Sequence, residues 1–211
     1  MVVTGIEKTR RGRYALMVDG EFLFSVHQDT FLTSRLARGL EMSPQELEEL
    51  READERYSAV QSALDVLSRS AQSTGMLRDK LLRHYGEEAA AAALGRMAEL
   101  GLLDDLDYAR RLSRDMVNLR GWSLRRVRQG LLQRKLDRET VDEALRQFED
   151  EDETGPIIEI ILKKYRDKIF DAGSLRKTIA ALQRRGFGYD DIRAALRRIQ
   201  EEALWEDESR K

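Results

Sequence analysis

Apolar positions recur at a spacing of fifty-one residues in the C-terminal half of the chain. The segments 123–145 and 174–196 agree at six apolar or capping positions without a gap. The matched pairs are Ser123 with Ser174, Leu124 with Leu175, Leu131 with Leu182, Leu136 with Phe187, Val141 with Ile192 and Leu145 with Leu196. A weaker copy at 81–97 follows the same register, with Leu81 fifty-one residues before Leu132. A fixed period of this length is typical of stacked structural repeats.

Each copy is preceded by one more segment with helical periodicity. These additional helices are predicted around 59–69, 105–119 and 156–168. The chain is therefore predicted to be mainly α, with three tandem three-helix repeats that form an elongated, curved array. Because each repeat would bury its apolar side against its neighbours, the pattern predicts a monomer without a two-fold contact face.

The first forty residues have the pattern of strands instead. Apolar runs at 14–18 and 22–26 flank Asp19 and Gly20, a dipeptide that favours the type I′ turn of a β-hairpin. A third run at 2–6 precedes them. Together the runs predict a small antiparallel β-meander, whose apolar face needs a helix to cover it.

Two helix starts follow the meander. Asp29 is predicted to cap a helix that runs over 30–38 and ends at Gly39. The segment 43–46 reads Ser-Pro-Gln-Glu, which combines a capping serine, a proline at the first helical position and a capping-box glutamate. A long helix is predicted from there, running on or breaking once before Val60.

The predicted elements divide the chain into five segments. They are a strand-rich piece at 1–40, a linker helix with the first repeat at 41–101, the second repeat at 102–153, the third repeat at 154–204 and an acidic tail at 205–211. Gly101 suits the left-handed residue that closes a helix, and Asp104 can cap the next helix. The first and second repeats are therefore expected to meet at this joint.

Composition agrees with a helical protein. Charged residues make up 36% of the chain, prolines number only two, and Ala, Leu, Arg and Glu are abundant. Because cysteine is absent, disulfide bonds and thiolate chemistry are excluded. The sequence has no signal-peptide pattern and no apolar run long enough to span a membrane, so a cytoplasmic protein is expected.

The net charge of −2 conceals a strong segregation of charge. The segment 106–138 contains ten basic and three acidic residues, whereas acidic residues crowd 41–55, 149–153 and the tail. The run at 149–153 precedes Gly155-Pro156 and predicts a solvated linker between the second and third repeats. A further hypothesis is that this run shields neighbouring arginines until a stronger anion competes.

Nothing in the sequence predicts a catalytic, cofactor or metal site. Asp104, Asp105 and Asp107 lack the glycine and distant glutamate of a calcium loop, and helix capping accounts for them. His27 and His84 stand apart from other ligand-type residues. The glycines form no phosphate-binding motif. The chain is therefore not expected to be an enzyme.

Trp122 has two possible roles. It could stack on a nucleobase, since it precedes a basic helix. If Ser123 caps that helix, however, Trp122 and Val127 occupy the two positions that a hydrophobic staple joins. The spacing favours packing over base stacking.

The basic helices are the main candidate for a binding function. After Ser123, the apolar positions mark one buried side, and Arg125 and Arg126 are expected to point away from it. No acidic residue lies between Trp122 and Lys135 to neutralise the cluster. The candidate partner- or nucleic-acid-binding residues are Arg125, Arg126, Arg128, Arg134, Lys135, Arg176, Lys177, Arg184 and Arg185. Such patches are the usual electrostatic footprint of contact with nucleic acid or an acidic partner.

Three motifs surround the joint between the first and second repeats. The stretch 101–109 reads Gly-Leu-Leu-Asp-Asp-Leu-Asp-Tyr-Ala. It is preceded by Leu-Arg-Asp-Lys-Leu at 77–81 and followed by Gly-Trp-Ser-Leu at 121–124. Within three tandem helical units, these motifs resemble the RecX family of bacterial recombination regulators. The resemblance covers about residues 57–199, and the N-terminal piece is similar to one carried by some members.

The resemblance implies a regulator of DNA repair and recombination. Such a protein would bind the RecA recombinase filament on DNA, lie along its helical groove, and suppress ATP hydrolysis and strand exchange. Contact with single-stranded DNA itself would be weak or dependent on the filament. From the residues alone, an alternative stays open, which is a stand-alone helical module that binds DNA through its basic helix faces. Dependence on the recombinase separates the two.

Overall fold

A computed structural model describes residues 1–149, 152, 154–169 and 171–208, with side chains described to residue 201. The chain forms two compact units, Met1–Asp104 and Asp105–Lys211. A three-stranded sheet and helical repeats confirm the predicted fold class.

The first unit begins with the sheet and continues in helices. Its elements are β1 (Val3–Lys8), β2 (Tyr14–Val18), β3 (Glu21–Val26), α1 (Gln28–Thr33), α2 (Pro44–Arg69), α3 (Thr74–Leu81) and α4 (Glu87–Glu99). The strands form an antiparallel sheet in the order β1-β2-β3. Asp19 and Gly20 both have positive φ, 50° and 91°, which confirms the predicted hairpin turn.

Helix α2 covers the sheet with its first half. Leu47 and Leu50 join the core that contains Leu16 and Val26. Beside this core, the buried carboxylate of Asp54 pairs with the guanidinium of Arg13 and accepts a hydrogen bond from the His27 amide at 2.6 Å. The sheet is thus fixed to α2 by both apolar packing and a charged anchor.

Helix α1 differs from its prediction. Its cap is His27, whose Nδ1 accepts a hydrogen bond from the Asp29 amide at 3.3 Å, so the prediction that Asp29 caps the helix is wrong. The helix ends at Thr33 because Arg35 adopts a left-handed φ of 50°. Gly39 lies beyond the helix, in a separate turn.

Helix α2 is continuous and carries the predicted capping box. The Glu46 amide donates to Ser43 Oγ at 3.1 Å, and the Ser43 amide donates to the Glu46 carboxylate at 2.7 Å. In its second half, Ala59 and Ala63 are fully buried in the core of the first repeat. Helix α2 therefore contributes residues to two cores, that of the sheet and that of the first repeat.

The second unit contains the other two repeats. Its helices are α5 (Asp105–Asn118), α6 (Leu124–Leu132), α7 (Arg138–Leu145), α8 (Thr154–Lys164), α9 (Ala172–Arg184) and α10 (Tyr189–Glu208). The core of α5–α7 and the core of α8–α10 occupy matching positions, as predicted. Val141 and Ile192 are both fully buried, and so are Leu131 and Leu182.

Within the first repeat, helix α3 departs from the predicted register by one residue. Leu81 is 1% exposed, whereas its predicted counterpart Leu132 is 38% exposed. Leu131, fully buried, is the true equivalent of Leu81. The prediction is wrong over this helix because α6 has nine residues and α3 has eight. The helices that follow keep the predicted spacing of fifty-one, since their caps are Gly86 and Asp137.

The N-cap of α9 also differs from the one that the repeat predicts. Ser73 and Ser123 cap α3 and α6, but Asp171 caps α9 and accepts a hydrogen bond from the Ser174 amide at 2.8 Å. Helix α9 therefore starts three residues before the position that the repeat predicts, and Ser174 is not its cap.

The second and third repeats meet at what we call the repeat junction, formed by Ser123, Arg126, Arg185 and Gly186. The Ser123 amide donates to the Arg185 carbonyl at 2.9 Å, while Ser123 Oγ accepts from the Arg126 amide at 3.3 Å. Gly186 has a left-handed φ of 95°, and a Cβ there would lie 2.5 Å from Ser123 Oγ and 2.6 Å from Arg126 Cβ. The end of α9 thus fits against the start of α6 only if residue 186 is glycine.

We expect Gly186→Ala to destabilise the second unit more than backbone strain alone would. Gly39→Ala is the matched control, because Gly39 has a φ of 89° and open space around its Cβ position. The control should cost about 1–2 kcal/mol of unfolding free energy, and Gly186→Ala should cost about 1–3 kcal/mol more through the clash. Urea titrations followed by circular dichroism measure both. Equal losses of unfolding free energy in the two variants would show that the junction accommodates the added methyl group without further destabilisation.

We expect the stability contributed by the Asp171 cap to depend on pH. The hydrogen bond from the Ser174 amide lowers the pKa of Asp171. The ionised cap therefore stabilises the fold above its unfolded pKa of about 4, and this contribution disappears as pH falls through the lower folded pKa. Asp171→Asn keeps an acceptor but cannot ionise, so its melting temperature should approach that of the wild type in acid.

The control for this experiment is Asp167→Asn, which removes an equal charge from an exposed position in the short 3-10 helix Arg166–Lys168. Thermal melting at neutral and acid pH should show no comparable convergence for this control. If the melting temperatures of Asp171→Asn and the wild type changed in parallel with pH, the stabilising role of the ionised Asp171 cap would be contradicted.

Candidate interaction surface of the second and third repeats

The predicted binding residues lie on the middle helices of two consecutive repeats. Arg125, Arg126 and Arg128 are on α6, Arg134 and Lys135 are in the turn after it, Arg176, Lys177 and Arg184 are on α9, and Arg185 follows α9. The side chains of Arg126, Arg134 and Arg185 are half-buried, and the other six residues are exposed. The set therefore divides into cations that contribute to packing and cations that face solvent.

Two of the predicted residues have partners inside the second repeat. The Arg128 guanidinium pairs with Asp142 of α7, and Arg134 Nη1 donates to Tyr108 Oη at 2.8 Å. The expectation that the α6 cluster has no neutralising carboxylate is therefore wrong at Arg128. Sequence neighbours could not reveal Asp142, because it reaches α6 from a different helix.

Lys135 has a structural role in the backbone. Its φ is 58°, so this lysine adopts the left-handed conformation that Gly186 adopts at the equivalent position, fifty-one residues later. The turn after α6 tolerates a side chain, whereas the turn after α9 excludes one because it abuts the repeat junction.

Four exposed cations form the candidate contact set, Arg125, Arg176, Lys177 and Arg184. In the part of the chain that the structure describes, no carboxylate lies within 4.0 Å of their charged groups. Exposed arginine and lysine without an internal partner are free to meet an external anion at little desolvation cost. The contact set spans both middle helices and thus both repeats.

Arg126 does not point away from the protein, contrary to expectation. Its guanidinium lies over the ring of Trp122, 4.4 Å from the centroid, and the guanidinium of Arg120 lies 5.1 Å from the same centroid. Trp122 itself packs against the core of the second repeat. Ser123 is the cap of α6, so the packing interpretation of Trp122 agrees with the geometry.

Arg120 and Tyr165 also belong to this surface, and neither is among the binding residues predicted from the sequence. Arg120 lies in the turn between α5 and α6, and Tyr165 follows α8. Arg185 Nη1 donates to Tyr165 Oη at 3.4 Å, and this contact lowers the pKa of the phenol. The sequence Arg-Gly-Trp at 120–122 was a detectable signal for Arg120, whereas the Tyr165 contact spans twenty residues of chain.

Part of the acidic run lies beside this surface. Asp152 accepts a hydrogen bond from Arg198 Nη1 at 3.1 Å, and hydrogen bonds from Thr154 lower its pKa. Residues 150, 151 and 153 lie outside the described part of the chain. The shielding hypothesis therefore has one observed contact, at Arg198, and stays a prediction for the rest of the run.

The described side chains contain no group of three or more His, Asp or Glu placed to hold a metal ion. Helix α5 begins at Asp105, immediately after the predicted cap Asp104. Across the described ranges, no helix combines the length and apolar character that crossing a membrane requires.

Comparison with known proteins identifies two of the repeats. Residues 59–97 match the family description "RecX, first three-helix domain", and residues 104–145 match "RecX, second three-helix domain". The first range contains all the buried core residues of the first repeat, and the second contains those of the second repeat except Phe148.

Several relatives are named regulatory protein RecX. The chain is 32% identical to the one from Levilactobacillus brevis over 194 residues, covering 90% of this chain and 73% of that protein. It is 26% identical to the one from Clostridioides difficile, covering 94% and 95%. It is 31% identical to the one from Lactobacillus gasseri, covering 72% of this chain but only 56% of that protein.

Solved structures agree in fold. A crystal structure of regulatory protein RecX superposes with a TM-score of 0.64 at 26% identity, covering 92% of this chain and 98% of that one. RecX from Lactobacillus salivarius superposes with a TM-score of 0.60 at 23% identity over 72% of this chain, which supports the fold alone. By sequence, repeat organisation and fold, the chain belongs to the RecX family of regulatory proteins.

Proposed function

We propose that this protein binds the RecA recombinase filament on DNA and inhibits its ATP hydrolysis and strand exchange. Family membership supports a regulatory role, and the observation that carries the binding proposal is the contact set Arg125, Arg176, Lys177 and Arg184. The protein acts in the cytoplasm, where it limits recombination and DNA repair through the filament.

The distribution of the contact set suits a filament partner. A filament presents the same acidic groups or phosphates again and again along its length. Arg125 and Arg176 lie fifty-one residues apart on equivalent middle helices, so each repeat brings its own cations. Two repeats can thus contact two equivalent positions on the partner. Because both contacts belong to one chain, the first holds the second close to its site and the overall affinity increases.

Inhibition should depend on the contact set. The variant Arg125→Gln/Arg176→Gln/Lys177→Gln should require about tenfold more protein for half-maximal inhibition of DNA-dependent ATP hydrolysis by RecA, because three exposed charge contacts are lost. The measurement is steady-state ATP turnover on single-stranded DNA, titrated with this protein.

The matched control removes the same charge from the first unit. Arg51, Arg69 and Arg96 are exposed, and each pairs with a carboxylate on its own helix, so Arg51→Gln/Arg69→Gln/Arg96→Gln should inhibit almost as well as the wild type. Equal loss in both variants would assign inhibition to overall charge. If Arg125→Gln/Arg176→Gln/Lys177→Gln inhibited RecA as well as the wild type, the surface that binds the filament would lie elsewhere on the protein.

Titrations without RecA address the alternative of a stand-alone DNA-binding module. If the contact set binds phosphates of free single-stranded DNA, log affinity falls with log salt, and the triple variant reduces the slope by about 2. Under the proposed function, affinity for free DNA is weak while inhibition of RecA is strong. Tight DNA binding without inhibition would favour the alternative.

A further inference from the structure

A concavity of about 340 Å³ beside the repeat junction is lined by four arginines, Arg120, Arg126, Arg184 and Arg185. They come from three places in the chain, which are the turn before α6, α6 itself and the end of α9. The rest of its lining includes Trp122 and Tyr165. Packing at the junction therefore brings together cations that are up to sixty-five residues apart in sequence.

Three of these arginines are held in place by aromatic side chains. Arg120 and Arg126 both lie over the ring of Trp122, and Arg185 donates to the phenol oxygen of Tyr165. A guanidinium over an aromatic ring keeps its charge and its N–H donors, because the ring is not a counter-ion. The side chains are thus oriented without being neutralised.

No carboxylate neutralises the concavity from within the described residues. None lies within 4.0 Å of the four guanidinium groups. The acidic residues of this region, Asp152 and Glu159, line an adjoining cavity of about 420 Å³, which shares Arg120, Trp122 and Arg185 with the concavity. Asp152 is itself bound to Arg198 and Thr154. Four like charges that converge on one concavity repel each other, and a bound anion relieves this repulsion.

We propose that this concavity binds a compact anion with two or more phosphoryl groups, of the class of inorganic triphosphate or the polyphosphate tail of a nucleotide. Guanidinium forks match the geometry of phosphoryl oxygens and bind them in bidentate fashion. The four positive charges of these arginines can be balanced by the negative charges of two or more phosphoryl groups. Nucleic acid spreads its charges along a strand, whereas these arginines converge on one concavity.

The site does not require the proposed binding to RecA, and its test contains no recombinase. The chain has two tryptophans, so Trp205→Phe leaves Trp122, the ring beneath Arg120 and Arg126, as the only indole. Sodium triphosphate added at constant ionic strength should change Trp122 emission and saturate. Potassium chloride at the same ionic strength should not reproduce the change.

Two single variants in the Trp205→Phe background locate the site. Arg184→Gln, at an exposed helix position, should weaken triphosphate binding about tenfold or more through loss of a charge-assisted contact. Arg176→Gln removes the same charge from the same helix, outside the concavity, and should change affinity less than about twofold. Circular dichroism confirms that both variants fold.

Three outcomes would overturn the proposal. A linear, unsaturated change in emission would indicate ionic screening only. Equal weakening by Arg184→Gln and Arg176→Gln would indicate a diffuse positive field. Saturation by a single-stranded oligonucleotide, with no response to triphosphate, would assign the concavity to the nucleic-acid backbone. Failure of the triphosphate site would leave the inhibition experiment with RecA unaffected.

Discussion

The hydrogen bond from the Ser123 amide to the Arg185 carbonyl determines how the second unit is assembled. Ser123 uses its hydroxyl to cap its own helix and its amide to bind the next repeat, so one residue both starts α6 and receives the end of α9. This double use requires close approach of two backbones, which Gly186 permits. The arrangement of arginines around Trp122 follows from that approach.

The internal partners of the cations separate structural arginines from interaction arginines. Arg128 and Arg134 join helices of one repeat, through Asp142 and Tyr108, and their charges are used within the fold. Arg125 and Arg176 occupy exposed helical positions and have no such partner among the described side chains. Counting basic residues along the sequence mixes the two classes, and only the three-dimensional neighbours distinguish them.

Most features that depend on nearby residues can be predicted from the sequence, whereas contacts between residues far apart in the chain cannot. The Asp19-Gly20 turn and the Ser43 capping box are determined within four residues, and both were predicted. The cap at His27 was missed because histidine is an uncommon cap and Asp29 satisfied the usual rule. Convergence of Arg120 with Arg184 could not be predicted, since it results from the way that two repeats meet. Resemblance to a family gave the fold and the proposed partner, but not this geometry.

The double role of α2 has a consequence for synthesis of the chain. The sheet is complete by residue 26, yet its apolar face is covered by Leu47 and Leu50, and Arg13 meets its carboxylate only at Asp54. At about 5–20 residues per second, a ribosome needs roughly 2–8 s to add the forty-one residues from Arg13 to Asp54. Once Val26 has been added, the apolar face that contains Leu16 and Val26 has no cover until Leu47 and Leu50 of α2 follow. Transiently exposed apolar surface of this kind favours aggregation.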